Sequence, residues 1–116
     1  MRPVRWVGSS QKDIRSFPEP VKREVGYALY AAQKGEVDPS AKPLKGFGGS
    51  SAQEIAVRHF GDTWRAVYVV RFSDAVYVLH VFQKKAKSGI ATPKKDIDLI
   101  KQRRAEAERD YRKRQN

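Results

Sequence analysis

The 116-residue chain contains no cysteine, which excludes disulfide staples and thiolate metal sites outright. It has only two histidines, His59 and His80, and neither H-E-x-x-H nor a comparable His–carboxylate cluster, so no metal and no cofactor are expected. No apolar run approaches the roughly 20 residues of a spanning helix. The opening M-R-P-V-R-W-V-G-S-S is too poor in apolar residues for a secretory leader. A soluble, cytoplasmic protein with no membrane partner is the expectation. No G-x-S-x-G elbow marks Ser-His-Asp chemistry. The segment G-F-G-G-S-S (46–51) lacks the Lys-Ser/Thr pair and the strand-to-helix setting of a phosphate loop, and reads instead as the approach to a hairpin.

Acids are also scarce: 13 Asp plus Glu face 24 Lys plus Arg, a formal charge of +11. The excess is uneven. Residues 84–116 hold twelve basic residues and five acids, so +7 of the +11 lies in that stretch. Such a field favours phosphate polyanions, acidic membranes or an acidic protein partner.

What is present reads as one domain, 1–116. Residues 3–7 alternate as a short strand anchored by Trp6. Ser9 or Ser10 can cap a short helix over 11–17, which Pro18 interrupts. Pro20 suits the first turn of a second helix running to 34, with Val21, Val25, Ala28, Leu29 and Ala32 on one face and Gly35 ending it. After a loop over 36–51, three strands form an antiparallel meander across 53–86: 53–60, 63–72 and 76–85, with turns at Gly61-Asp62 and Ser73-Asp74. Thr92 then caps, and Pro93 opens, a basic final helix over 92–112, with Ile97, Ile100, Arg104 and Ala107 as its inward stripe.

The chemistry-bearing residues lie in the meander. His80 sits between Leu79 and Val81, either half-buried and hydrogen-bonded to a neighbour or a proton donor and acceptor at a cleaved phosphodiester. Arg65 opens an otherwise apolar strand, on a face with Val67 and Val69; arginine at a strand end can also simply snorkel. Antiparallel pairing can gather Arg58, Arg65 and Lys85 into one region. Such a cluster, without acids among its members, would hold phosphates and stabilise charge on a pentavalent phosphorane.

Four stretches carry a resemblance: F-P-E-P-V-K-R-E-V-G-Y-A-L-Y-A-A-Q-K-G (17–35), L-K-G-F (44–47), G-D-T-W-R-A-V-Y-V-V (61–70) and V-Y-V-L-H-V-F-Q-K-K (76–85). Together they are similar to the RelE/ParE toxin superfamily, and most to its phage-derived, HigB-like branch, over residues 16–104. The resemblance implies an α+β fold: a twisted, mainly antiparallel sheet with an N-terminal helical hairpin (1–35) and a C-terminal helix. It implies the toxin of a type II toxin–antitoxin pair, a metal-independent endoribonuclease that cleaves mRNA on the ribosome, inhibits translation and arrests growth. The implied partners are a helix-turn-helix, HigA-like antitoxin, mRNA and the ribosome, with operator DNA reached only through the antitoxin.

Carried over residue by residue, Arg65 matches the family arginine of the central strand and Lys85 the basic residue beyond the last strand. His80 is implied as an acid–base assistant, and Lys45, Arg58, Lys84 and Lys87 as RNA-phosphate contacts. Two positions depart from the family pattern. Relatives often carry arginine directly after Glu-Ile, where this chain has Ala56, with Arg58 two residues on; and S-G-I-A-T-P has no counterpart of the tyrosine that follows the basic cluster in some members. Two other readings compete: a ParE-like gyrase poison, and a non-catalytic RNA- or ribosome-binding module using Trp64, Tyr68 and Tyr77 as stacking surfaces.

Overall fold

In the computed structural model, described over residues 1–44, 52–70, 74–84 and 92–115, five strands form one sheet in the order β1-β5-β4-β3-β2. The elements are β1 (Val4–Trp6), α1 (Ser10–Ile14), α2 (Glu19–Gln33), β2 (Ala41–Pro43), β3 (Ala52–His59), β4 (Asp62–Val69), β5 (Val76–Lys84) and α3 (Lys94–Gln115). β1 runs parallel to β5; every other pair is antiparallel. The N-terminal helices, the meander and the final helix occur in the expected order, with ends shifted by up to three residues (α1 spans Ser10–Ile14 against an expected 11–17, α3 Lys94–Gln115 against an expected 92–112), and the α+β, mainly antiparallel class holds.

Hydrophobic periodicity explains which helix covers which face. On α2, Val21, Val25, Ala28, Leu29 and Ala32 are buried at helical spacing. They pack with Phe17 on Ile55, Ala66, Tyr68, Val76, Val78 and Val81. Each fully buried Val or Leu there contributes about 1.5–3 kcal/mol. α1 lies on the same side, where the buried Ser10 hydroxyl donates to the Val78 carbonyl. The opposite face holds Ala52, Val67, Val69, Tyr77 and Leu79 against Ile100 and Ala107 of α3. We refer to these as the α2 face and the α3 face.

Four details differ from the sequence reading. β2 is an added edge strand inside the expected loop, paired with Gln53–Ile55 of β3. The β3–β4 turn is Phe60-Gly61 and not Gly61-Asp62, since His59 pairs with Asp62 across it. Thr92 is not the cap of α3: the Pro93 carbonyl accepts the first helical amides, of Asp96 and Ile97, while the Thr92 hydroxyl donates to Glu54. Finally, the inward stripe of α3 carries Arg103, buried, in place of Arg104.

The bulge in β5 matters most for function. Val67 pairs with His80 but Tyr68 pairs with Val78, so Leu79 is an extra residue. Plain alternation would put His80 beside Val78 on the apolar α2 face. With the bulge, His80 and Phe82 turn to the α3 face and Val81 returns to the α2 core.

A candidate RNA-cleavage face

The meander register builds the α3 face in rows across β3, β4 and β5. The row nearest the β3–β4 turn is Arg58, Thr63 and Lys84; the next is Ala56, Arg65 and Phe82; the third is Glu54, Val67 and His80. Arg58 is exposed and Lys84 half-buried. Arg65, Arg58, Lys84 and His80 thus occupy three adjacent rows of one face. Lys45, Lys85 and Lys87 lie outside the described residues.

An acid stands within this group, contrary to the expected all-basic cluster. Arg65 Nη1 donates to Glu54 Oε1 at 2.9 Å, with side-chain exposures of 11% and 16%. The reason is local geometry. Directly opposite Arg65 is the small Ala56, so the guanidinium leans diagonally across the pair to the next residue on that face. Thr92 Oγ1 donates to the other carboxylate oxygen at 3.3 Å. Glu54 therefore fixes the arginine and ties it to the start of α3. A charge-assisted, largely buried pair of this kind holds one side-chain geometry.

His80 is buried in a second network. Its Nε2 is 2.8 Å from Asp96 Oδ1, its Nδ1 3.4 Å from Arg103 Nη1, and its ring stacks on Phe82 with centroids 4.7 Å apart. The neutral tautomer protonated at Nε2 satisfies both neighbours. Burial lowers the histidine pKa from its ordinary 6.5; the bonded Asp96 carboxylate opposes that shift, and the Arg103 charge adds to it. Arg103 also donates to the Leu79 carbonyl at 3.0 Å and to Ser9 Oγ at 2.9 Å, and Ser9 in turn donates to Asp13. Its guanidinium lies over Gly8, where a Cβ would come 2.7 Å from Arg103 Nε.

This network joins α1, the bulge of β5 and α3. Both His80 ring nitrogens are engaged inside the protein, by Asp96 and Arg103 of α3, and the ring packs on Phe82. Glu54, Asp96 and Arg103 were not singled out from sequence. Alternation does put Glu54 on the face of Arg58, but its contact with Arg65 depends on strand register. Among the described residues no group of His and carboxylates could hold a metal ion, and no helix is long and apolar enough to cross a membrane.

The arrangement can bind a phosphate with Arg65, flank it with Arg58 and Lys84, and offer a carboxylate within hydrogen-bonding distance of the arginine. The fold is similar to that of the E. coli toxin RelE. A double mutant of that toxin in its free state matches at TM-score 0.53 and 19% identity, over 76% of this chain and 86% of that chain. The isolated toxin matches at TM-score 0.53 and 18% identity, over 88% and 98%. No curated protein matches the sequence significantly. The model of the family described as "phage derived protein Gp49-like" matches residues 12–105, and the chain therefore belongs to that phage-derived family.

Proposed function

We propose that the protein is the toxin of a type II toxin–antitoxin pair and acts as a metal-independent endoribonuclease on mRNA, engaged on the ribosome. The observation that carries this reading is the row of Ala56, Arg65 and Phe82 beside the row of Arg58, Thr63 and Lys84: an anchored arginine with cations along one sheet face. The similarity to RelE and the Gp49-like family support it.

The 2′-hydroxyl attacks the adjacent phosphate in line and the P–O5′ bond breaks, leaving a 2′,3′-cyclic phosphate and a 5′-hydroxyl; addition of water opens the cyclic ester to a 3′-phosphate. Arg65 holds the phosphate oxygens and stabilises the charge that grows on them. Glu54, already 2.9 Å from Arg65, is the carboxylate suited to take the 2′-hydroxyl proton. Lys85 supplies charge or a proton to the leaving oxygen. The basic surface of the chain draws it to the ribosome, a polyanion, and to an acidic segment of an antitoxin.

The test is mapping of mRNA 5′ ends after a short pulse of expression, wild type beside Arg65→Ala. New 5′-hydroxyl ends inside reading frames, present only with the wild type, are expected. Growth arrest with intact mRNA and accumulated DNA breaks would replace this reading with a gyrase poison.

A further inference from the structure

The β3–β4 turn carries a residue that turn chemistry disfavours. Phe60 has φ +49° and Gly61 φ +84°, the type I′ pattern for a two-residue hairpin, whose first position favours Asn, Asp or Gly. A bulky aromatic residue in the left-handed region is a true outlier. The ring gains nothing visible in return, because Phe60 is 93% exposed. Its ring contact among the described residues is an edge-on approach to the adjacent His59, with centroids 4.4 Å apart. The fold thus pays twice, in backbone strain and in exposed apolar surface. Among the described residues neither cost has an internal compensation beyond the His59 contact, and strain of this kind points to function.

The rows behind the turn say what a ligand held at its tip would meet. The first row behind the turn is Arg58, Thr63 and Lys84, and Arg65 stands one row further, about 7 Å along the strand. The turn's own acid, Asp62, accepts a 2.6 Å hydrogen bond from Gln83. A single ring among basic and polar side chains is not an apolar patch for a protein partner. It has the make-up of a stacking platform for single-stranded nucleic acid, a flat π surface at the tip with cations in the rows behind it.

We propose that Phe60 is a base-stacking residue: the β3–β4 turn holds an unpaired nucleobase of single-stranded RNA on the Phe60 ring. Arg58 and Lys84 guide the adjoining backbone toward Arg65. This site rests on the endoribonuclease reading and extends it, since it fixes where the strand enters the face.

The test uses Phe60→Asn and Phe60→Trp, with an uncleavable 2′-O-methyl oligoribonucleotide as probe. Asn-Gly is the favoured pair for this turn, so Phe60→Asn should melt no lower than wild type while binding the probe about tenfold or more weakly. Phe60→Trp should retain binding and gain an emission component that the probe quenches. Equal probe affinity in Phe60→Asn and wild type would overturn the proposal. So would lost binding of an acidic antitoxin protein with probe affinity intact, which would make the tip a protein-docking element. If wild type neither binds nor cleaves RNA, the endoribonuclease reading fails together with this site. If wild type and Phe60→Asn cleave RNA equally, only the stacking site fails.

Discussion

The two faces of the sheet use the same three central strands for different ends. On the α2 face, Ile55, Ala66, Tyr68, Val78 and Val81 close against a helix whose buried positions are all apolar. On the α3 face the apolar half, around Tyr77, Leu79 and Ile100, gives way within a few residues to Glu54, Arg65, His80, Arg103 and Asp96. Burial alone does not separate them, since Arg65 and His80 are nearly as enclosed as the core. The difference lies in how polar groups are satisfied. The α2 face is held by area removed from water, which tolerates hydrophobic exchange. The α3 face depends on paired charges, whose loss leaves a partner stranded. Mutations on the first face should lower stability. Those on the second should separate activity from stability.

The largest effect is expected on the α2 face. Ile55→Ala, at a site 1% exposed, should cost about 2–5 kcal/mol in denaturant unfolding, while the folded fraction keeps its activity. Arg65→Ala should do the reverse, lowering RNA cleavage about 10²–10³-fold with a smaller stability loss. Because that loss comes from stranding Glu54, the double variant with Glu54→Gln should recover part of it, as a double-mutant cycle would show. Full recovery of cleavage in either variant would erase the contrast between the faces.

The α3 network gives two smaller effects. Gly8→Ala places a side chain at φ +57° and against Arg103, and should cost about 1–2 kcal/mol by denaturant midpoint. For His80, the folded pKa is lowered from 6.5, so the unfolded chain binds the proton more readily. The stability due to the buried neutral ring is complete above pH 6.5 and is lost as pH falls from there toward the folded pKa. A His80→Gln variant should show a flatter stability–pH profile over that window. Asp110 acts in a separate range. Hydrogen bonds from Arg114 and Tyr77 lower its pKa from 3.8, so its contribution is lost only as pH falls below that value. The smallest effect belongs to the solvent-facing end of α3. There the Arg112–Glu108 pair spans one helical turn, and Arg112→Ala should change stability by only about 0.3–0.5 kcal/mol.

Much of this was legible in the residues. The apolar stripe of α2 and the period-two runs of the meander gave the layers. Arg65 stood out first as a charge opening an apolar strand, and the similarity of 61–70 and 76–85 to known toxins then pointed to the same residue. Arg58 and Arg65 follow from alternation once the strands pair antiparallel, because side chains two residues apart share a face; Lys84 joins them only through the bulge, since plain alternation would put it with His80 on the α2 face. Other features were hidden. The bulge at Leu79 leaves no mark in an apolar run, yet it decides that His80 meets Asp96 and Arg103 instead of the α2 core. In α3, Arg103 and Arg104 are chemically alike, and only the depth at which the helix sits over Gly8 selects the buried one.

Local pattern fixed the order and type of the main elements, the basic charge and the absence of thiolate chemistry, because these depend on residues close together in the chain. Tertiary packing decided the partners: Glu54 with Arg65, Asp96 with His80, Arg103 with the Gly8 turn 95 residues away in the chain. Those contacts depend on register, a bulge and the seating of a helix. Each is set by the summed burial of many side chains and leaves no local signature.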